Sequence, residues 1–245
     1  MYNCISLIDK YKIIDVIDQG GYGVVFNVYN TISKEESALK ILEYKKDLAE
    51  KEIKIGALLS NIPGFIKLKS WYLCNIDITN SLNKHGIDTN CPLLYIELEK
   101  AVNRLEYLFD ELQPKLTSKD VKSMLFEILS GLYTARALYK FCHNDINQYN
   151  ILYKINPEPR SYTLPNDIEV IASSIYQPVF IDFGKSEINV EVCDKDKQKI
   201  AGLTKTYFSK YSEISPNLIN MIRNTKDYYD VIHSEFFDEL YKAKI

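Results

Sequence analysis

Two short strings near the middle of the chain restrict it more than anything else: H-N-D-I-N-Q-Y-N, from His143 to Asn150, and F-I-D-F-G, from Phe180 to Gly184. Each sets oxygen-bearing side chains directly against an apolar run. Ahead of the first, Val121, Met124, Leu125, Ile128, Leu129 and Leu132 recur at the helical period. Thr117 and Asp120 precede them at capping-box spacing, with Asp in place of Glu. The second string ends the apolar strand Pro178-Val179-Phe180-Ile181. The pattern predicts a buried helix leading to one polar loop and a buried strand leading to another. Together the loops offer Asp145 to accept or orient a hydroxyl proton, and Asn150 and Asp182 as hard oxygen ligands for magnesium. That set is what phosphoryl transfer from ATP asks of a protein, since the reaction needs mainly positioning and charge neutralisation.

The amino-terminal half reads as strands around one helix. Tyr11 to Ile17 alternates polar and apolar residues, Gln19-Gly20-Gly21-Tyr22-Gly23 interrupts, and Val24 to Tyr29 resumes the β-formers. Gly20, Gly21 and Gly23 would let backbone amides approach phosphate oxygens; a plain glycine-rich hairpin gives the same pattern. Ser37 to Ile41 forms a third strand carrying Lys40 among apolar neighbours, where an exposed edge lysine is the simpler alternative. Leu48, Ile55, Leu58 and Leu59 fall at helical spacing with Ile53 on the flank. On that helix Glu52 faces the strands and is placed to pair with Lys40, and Glu50 is the competing partner.

Composition bounds the class. A chain of 245 residues with 46% hydrophobic content can bury a substantial core. The net charge of −3 supplies no basic field to recruit nucleic acid or a membrane surface. Five cysteines (Cys4, Cys74, Cys91, Cys142, Cys193), odd in number and never paired as C-x-x-C, predict reduced thiols and no zinc site. No apolar run reaches the ~18 residues of a membrane span, and Met1 to Lys10 is too polar for a signal peptide. An intracellular, cytoplasmic location is expected.

Q-G-G-Y-G-V-V-F, A-L-K, the helix Glu52, H-N-D-I-N-Q-Y-N and I-D-F-G occur in the order of the protein kinase superfamily, which the chain resembles from about residue 11 to about residue 185. Leu94 to Phe109 and the run at Glu52 look closest to casein kinase I and vaccinia-related kinases. The long stretch between Asn150 and Asp182 looks like haspin-like kinases of large DNA viruses. The resemblance implies an α+β, bilobal protein-kinase-like fold: a small β-rich lobe at 1–96, a hinge at 97–100, and a shortened, mostly helical lobe at 101–245. It implies Lys40, positioned by Glu52, on the ATP phosphates, with Asp145 as catalytic base and magnesium on Asn150 and Asp182. Ile96 would be the gatekeeper, and the backbone of Glu97, Leu98 and Glu99 would meet adenine between Val25 and Ala38 above and Leu152 below. The implied activity is Mg-ATP-dependent transfer to Ser/Thr hydroxyls of a protein substrate. His143 would be a core histidine supporting the loop.

Several positions depart from the family pattern. Asn144 replaces the arginine that normally receives a phosphorylated activation loop, and Asn147 replaces the lysine that contacts the γ-phosphate. Lys185 is the nearby residue that could restore that cation. Asp18 replaces the first glycine of the phosphate loop. The excess between Asn150 and Asp182 is expected to form an inserted hairpin over about 156–177, turning at Pro165-Asn166-Asp167. After Gly184 there is no A-P-E string, so a short segment is expected, followed by helices near Lys197 to Tyr211 and Pro216 to Tyr241. H-N-D also resembles choline and ethanolamine kinases. A small-molecule kinase, or a pseudokinase acting as a binding module, are the alternatives these departures leave.

Overall fold

The computed structural model describes residues 5–20, 23–111, 116–164, 168–211 and 213–241. The fold mixes strands and helices, an α+β arrangement. Its contacts divide it into two units, Met1–Ser60 with Ile66–Lys100, and Asn61–Phe65 with Ala101–Ile245.

In the first unit, helix α1 (Ile5–Lys10) leads into β1 (Tyr11–Gly20), β2 (Gly23–Asn30), β3 (Glu35–Glu43), helix α2 (Lys46–Leu59), β4 (Leu68–Cys74) and β5 (Leu93–Glu99). The strands make an antiparallel sheet in the order β1-β2-β3-β5-β4. Because side chains alternate along a strand, β3 and β5 feed two cores. Leu39, Ile41, Leu93 and Tyr95 pack with Phe26, Val28 and Leu7 on one face, and Leu82 and Ile87 from the β4–β5 connection close it. Leu42, Leu94 and Ile96 pack on the other face against Ala49 and Ile53 of α2. The apolar face of α2 is rotated from the expected one: Leu48 is exposed, while Ala49, Ile55, Gly56 and Leu59 are buried. Where β2 begins, a Cβ on Gly23 would lie 2.6 Å from the Ile41 carbonyl oxygen, so only glycine fits.

A charged group is buried in this sheet. The Glu97 carboxylate accepts hydrogen bonds from Tyr11 (2.6 Å), Asn30 and Ser70 (2.7 Å each), Lys10 (2.9 Å) and Ser37 (3.1 Å). Burial alone would push its carboxyl up, but the bonds from Tyr11, Ser70, Asn30 and Lys10 outweigh it and hold the pKa at about 2.

The second unit carries β6 (Asn103–Arg104), α3 (Leu105–Glu111), α4 (Ser118–Tyr139), β7 (Ile151–Ile155), β8 (Arg160–Leu164), β9 (Ile168–Ala172), β10 (Tyr176–Phe180), α5 (Asp194–Thr206), α6 (Pro216–Asn224) and α7 (Tyr229–Ile232). Strands pair as β10-β7-β6 and as the hairpin β8-β9, whose turn at 165–167 lies outside the described residues. Helix α4 opens with a capping box in which Thr117 and Asp120 exchange hydrogen bonds. Its buried stripe includes Val121, Met124, Leu125, Ile128, Leu129 and Leu132. The Pro63–Gly64 segment crosses this helix so closely that a Cβ on Gly131 would sit 2.8 Å from the Pro63 carbonyl oxygen. The Gly64 carbonyl accepts from the amide of Phe180 at 2.8 Å, tying the crossing to the end of β10.

Buried charge also anchors the hairpin. Arg160 of β8 grips Glu127 of α4 through Nε (2.5 Å) and Nη2 (2.9 Å), and Tyr162 donates to the same carboxylate. Burial pushes the Glu127 carboxyl up, against the pull of Arg160 and Tyr162. The thiol expectation is corrected here for Cys74, Cys142 and Cys193, while Cys91 is a free cysteine. Cys142 and Cys193 form a disulfide, with Cα atoms 5.7 Å apart, and Cys74 is also disulfide-bonded. Their separation of 51 residues gave no local signal; the fold brings the approach to the first loop against the start of α5. Among the described residues no helix is long and apolar enough to cross a membrane.

Two stability predictions follow from the buried charges. The folded pKa of Glu97 is depressed, so its contribution is complete above the unfolded value of about 4.3 and is lost as pH falls towards about 2. Urea midpoints should therefore fall through that window in the wild type and fall less in Glu97→Gln. Arg160→Ala strands a buried carboxylate and should cost about 3–5 kcal/mol in urea unfolding. Glu127→Leu/Arg160→Met, which removes both charges, should recover most of that loss.

Candidate functional site

The first unit gathers one set of the residues singled out from sequence. Val25 lies opposite Lys40, Lys40 opposite Ile96, and Ala38 opposite Leu98, so these five share one face of the sheet. From the helix beyond that face, Glu52 places Oε1 2.6 Å from Lys40 Nζ. The side chains are 16% and 14% exposed, sheltered enough for a charge-assisted bond to fix the lysine. Glu50 points elsewhere and accepts from the Tyr44 hydroxyl at 3.4 Å. Gly20 and Gly23 end β1 and begin β2, and Gly21 lies outside the described residues. Glu97 to Glu99 are not a free connection. They are the last residues of β5, paired with Leu39, Ala38 and Ser37 of β3. The Glu97 side chain belongs to the buried polar cluster, and Glu99 Oε1 accepts from the Lys67 amide at 2.9 Å.

The second unit holds the other set. Asn150 Nδ2 donates to the Asp145 carbonyl oxygen (2.9 Å) and to Asp145 Oδ2 (3.2 Å). Lys185 Nζ sits 3.1 Å from the same Oδ2. Asn147 Nδ2 also donates to the Asp145 carbonyl oxygen at 2.9 Å, and its Oδ1 caps the Tyr149 amide at 2.9 Å. Leu152 lies in β7 opposite Val179 and Arg104.

The two polar loops are braced against each other along their length. The Ile181 amide donates to the Asn150 carbonyl at 3.1 Å, and Cys142 and Glu187 exchange backbone bonds of 2.8 Å. Ser186 Oγ donates to the His143 carbonyl at 3.1 Å, and Asn144 Nδ2 to the Lys185 carbonyl at 3.3 Å. Asp182, ending the second strand run, has φ 62, and Asn144 has φ 63. Asp and Asn are the non-glycine residues that tolerate this left-handed conformation best. Both loops thus turn sharply at a residue suited to it.

His143 is wholly buried among the rings of Phe141, Phe180 and Phe183. Its Nε2 lies 3.0 Å from the Ile181 carbonyl, which makes Nε2 the protonated nitrogen and leaves Nδ1 without a hydrogen-bond partner. Burial lowers its pKa, so the ring is neutral and its part is to hold the loops. Sequence reasoning missed the residue that fixes the loop from behind. Asp196, in the first turn of α5 and 2% exposed, accepts from the amides of His143 (2.6 Å) and Asn144 (2.9 Å). Burial pushes its carboxyl up, and those amides oppose the shift. In sequence it is one acid of D-K-D-K, where a first-turn acid balancing the helix dipole is the ordinary reading.

The side-chain donors suit magnesium. Asp182 offers a carboxylate and Asn150 a carboxamide whose nitrogen is committed to Asp145, which leaves its oxygen as the candidate ligand atom. Both are hard oxygen donors of the kind magnesium takes, and the residues fit. Asp196→Ala should abolish the hold on both amides, lower the thermal midpoint by several degrees and speed hydrogen exchange at His143 and Asn144. An unchanged exchange rate at those amides would contradict this account of the loop.

No family model matches the chain. It is 31% identical over 173 residues to uncharacterized protein 179R of Invertebrate iridescent virus 6, a match covering 65% of this chain and 13% of that one. It is 22% identical over 143 residues to glycogen synthase kinase 1 of Pyricularia oryzae, covering 58% of this chain and 34% of that one. The chain thus spans about an eighth and a third of these relatives. Its similarities thus include a viral protein and, more distantly, a protein that carries a kinase name.

Proposed function

We propose that this chain is a protein kinase of minimal form, transferring the γ-phosphoryl group of ATP to Ser/Thr hydroxyls of a protein. The observation that carries the reading is the Asp145 carboxylate, held by Asn150 and Lys185 on a loop cross-braced to the one bearing Asp182. The Lys40–Glu52 pair supports it independently, as does the distant similarity to glycogen synthase kinase 1.

In this reading the acceptor oxygen bonds to the γ-phosphorus as the bond to the β–γ bridging oxygen breaks. ADP departs, and the hydroxyl proton passes to Asp145. Asn150 and Asp182 would hold magnesium, which when bound neutralises charge on the phosphates. Glu52 would orient Lys40 towards the α- and β-phosphates, and the glycine-rich turn between β1 and β2 would supply amides to cover them. Val25, Ala38 and Ile96 would meet the adenine ring from the face of the sheet that carries Lys40. His143 and Asp196 are positioning residues.

A second reading, transfer to a small-molecule alcohol, is favoured by one observation. The chain passes from the Gly184–Lys185 turn to α5 at Asp194 with no intervening helix or long strand. Little chain is therefore available there to shape a peptide groove.

Labelled Mg-ATP supplied to wild type and Asp145→Asn, with casein, histone and the enzyme itself as acceptors, separates these readings. Incorporation into protein that falls at least about 10³-fold in the variant is the expected result. Asp145-dependent ADP release only when choline, aminoglycosides or sugars are added would replace the protein acceptor with a small one. No Asp145-dependent turnover with any acceptor would overturn phosphoryl transfer itself.

A further inference from the structure

We infer that Lys185 is a catalytic residue, supplying the cation that the loop from His143 to Asn150 lacks; this rests on the phosphoryl-transfer reading above. That loop contains no lysine or arginine, and His143 is buried and neutral. The side chain at 147 cannot serve instead. Its nitrogen is bonded to the Asp145 carbonyl and its oxygen to the Tyr149 amide, so it is spent on the shape of the loop. Lys185 comes from the other loop and brings its ammonium to 3.1 Å from Asp145 Oδ2.

The two ends of Lys185 are built differently. Its carbonyl accepts from Asn144 Nδ2 at 3.3 Å. The neighbouring Ser186 is fixed by its amide to the Phe183 carbonyl (3.0 Å) and by its hydroxyl to the His143 carbonyl (3.1 Å). The backbone is therefore clamped to the catalytic loop, while the side chain is 59% exposed. An ion pair that open to water adds little to stability, so the pairing is poorly explained as a structural device. It places an exposed cation on a fixed base beside the carboxylate that receives the acceptor proton.

As the acceptor oxygen bonds to phosphorus and the bridging bond breaks, negative charge spreads over the equatorial phosphoryl oxygens. A cation next to Asp145 meets that charge where it develops, and preorganised stabilisation of this kind is worth most at the transition state. Lys185 forms and breaks no covalent bond in the step. The proton still goes to Asp145.

The test uses the full chain, labelled Mg-ATP and the acceptor mixture of casein, histone and the enzyme itself, with Asp145→Asn run alongside. Lys185→Ala should lower kcat about 100-fold with little change in the KM for ATP, and Lys185→Arg should keep much of the rate. Independently of turnover, Lys185→Ala should weaken binding of Mg-ADP with aluminium fluoride more than binding of Mg-ATP. Lys185→Ala within about twofold of wild type would overturn the inference and leave the kinase reading intact. So would a loss that Lys185→Arg does not repair, with both complexes weakened equally. A wild type with no Asp145-dependent transfer would remove the reading and this inference together.

Discussion

The Asp196 carboxylate accepts hydrogen bonds from two consecutive backbone amides, His143 and Asn144, and the loop that carries Asp145 hangs from them. Once that loop is fixed, the remaining bonds of the second unit propagate order outward. His143 Nε2 sets the Ile181 carbonyl, and the Ile181 amide sets the Asn150 carbonyl. Asn150 in turn holds Asp145. Left-handed backbone at Asn144 and Asp182 persists only where the surroundings over-determine it, and this network supplies the constraint. The result is a carboxylate and two candidate cation ligands held in place before any substrate arrives, which is the form of preorganisation that phosphoryl transfer rewards.

Much of this was legible in local pattern. The capping box at Thr117 and Asp120, the stripe of α4 and the alternation of β3 and β5 each depend on spacing within one element. The Lys40–Glu52 register was readable because a single strand and the helix after it fix both ends. What stayed hidden is long-range. Asp196 looks like any first-turn acid until its burial is known. The Glu97 cluster draws donors from α1, β1, β2, β3 and β4, and no stretch of sequence holds enough of them to suggest it. Arg160 and Glu127 lie 33 residues apart. The phase of α2 was misread because Ala49 and Gly56 carry little hydrophobic weight in a periodicity count, yet small residues let a helix lie close to a sheet. Strand β5 ran further than expected because the ladder to β3 continues to Ser37.

The two units contribute chemistry of different kinds. The first offers an apolar strip with one sheltered lysine, Lys40, fixed by Glu52; the second offers side-chain oxygens, among them the Asp145 carboxylate, and an exposed lysine. With the cation supplied by Lys185, as inferred above, the loop would be left to use Asn147 for its own shape.

The most direct measurement is nucleotide binding by calorimetry, with and without magnesium, in wild type and Asp182→Asn. The account predicts ATP binding that magnesium strengthens by at least about tenfold in the wild type and leaves nearly unchanged in the variant. No ATP binding, or binding indifferent to both magnesium and Asp182, would contradict it and leave a kinase-like binding module in its place.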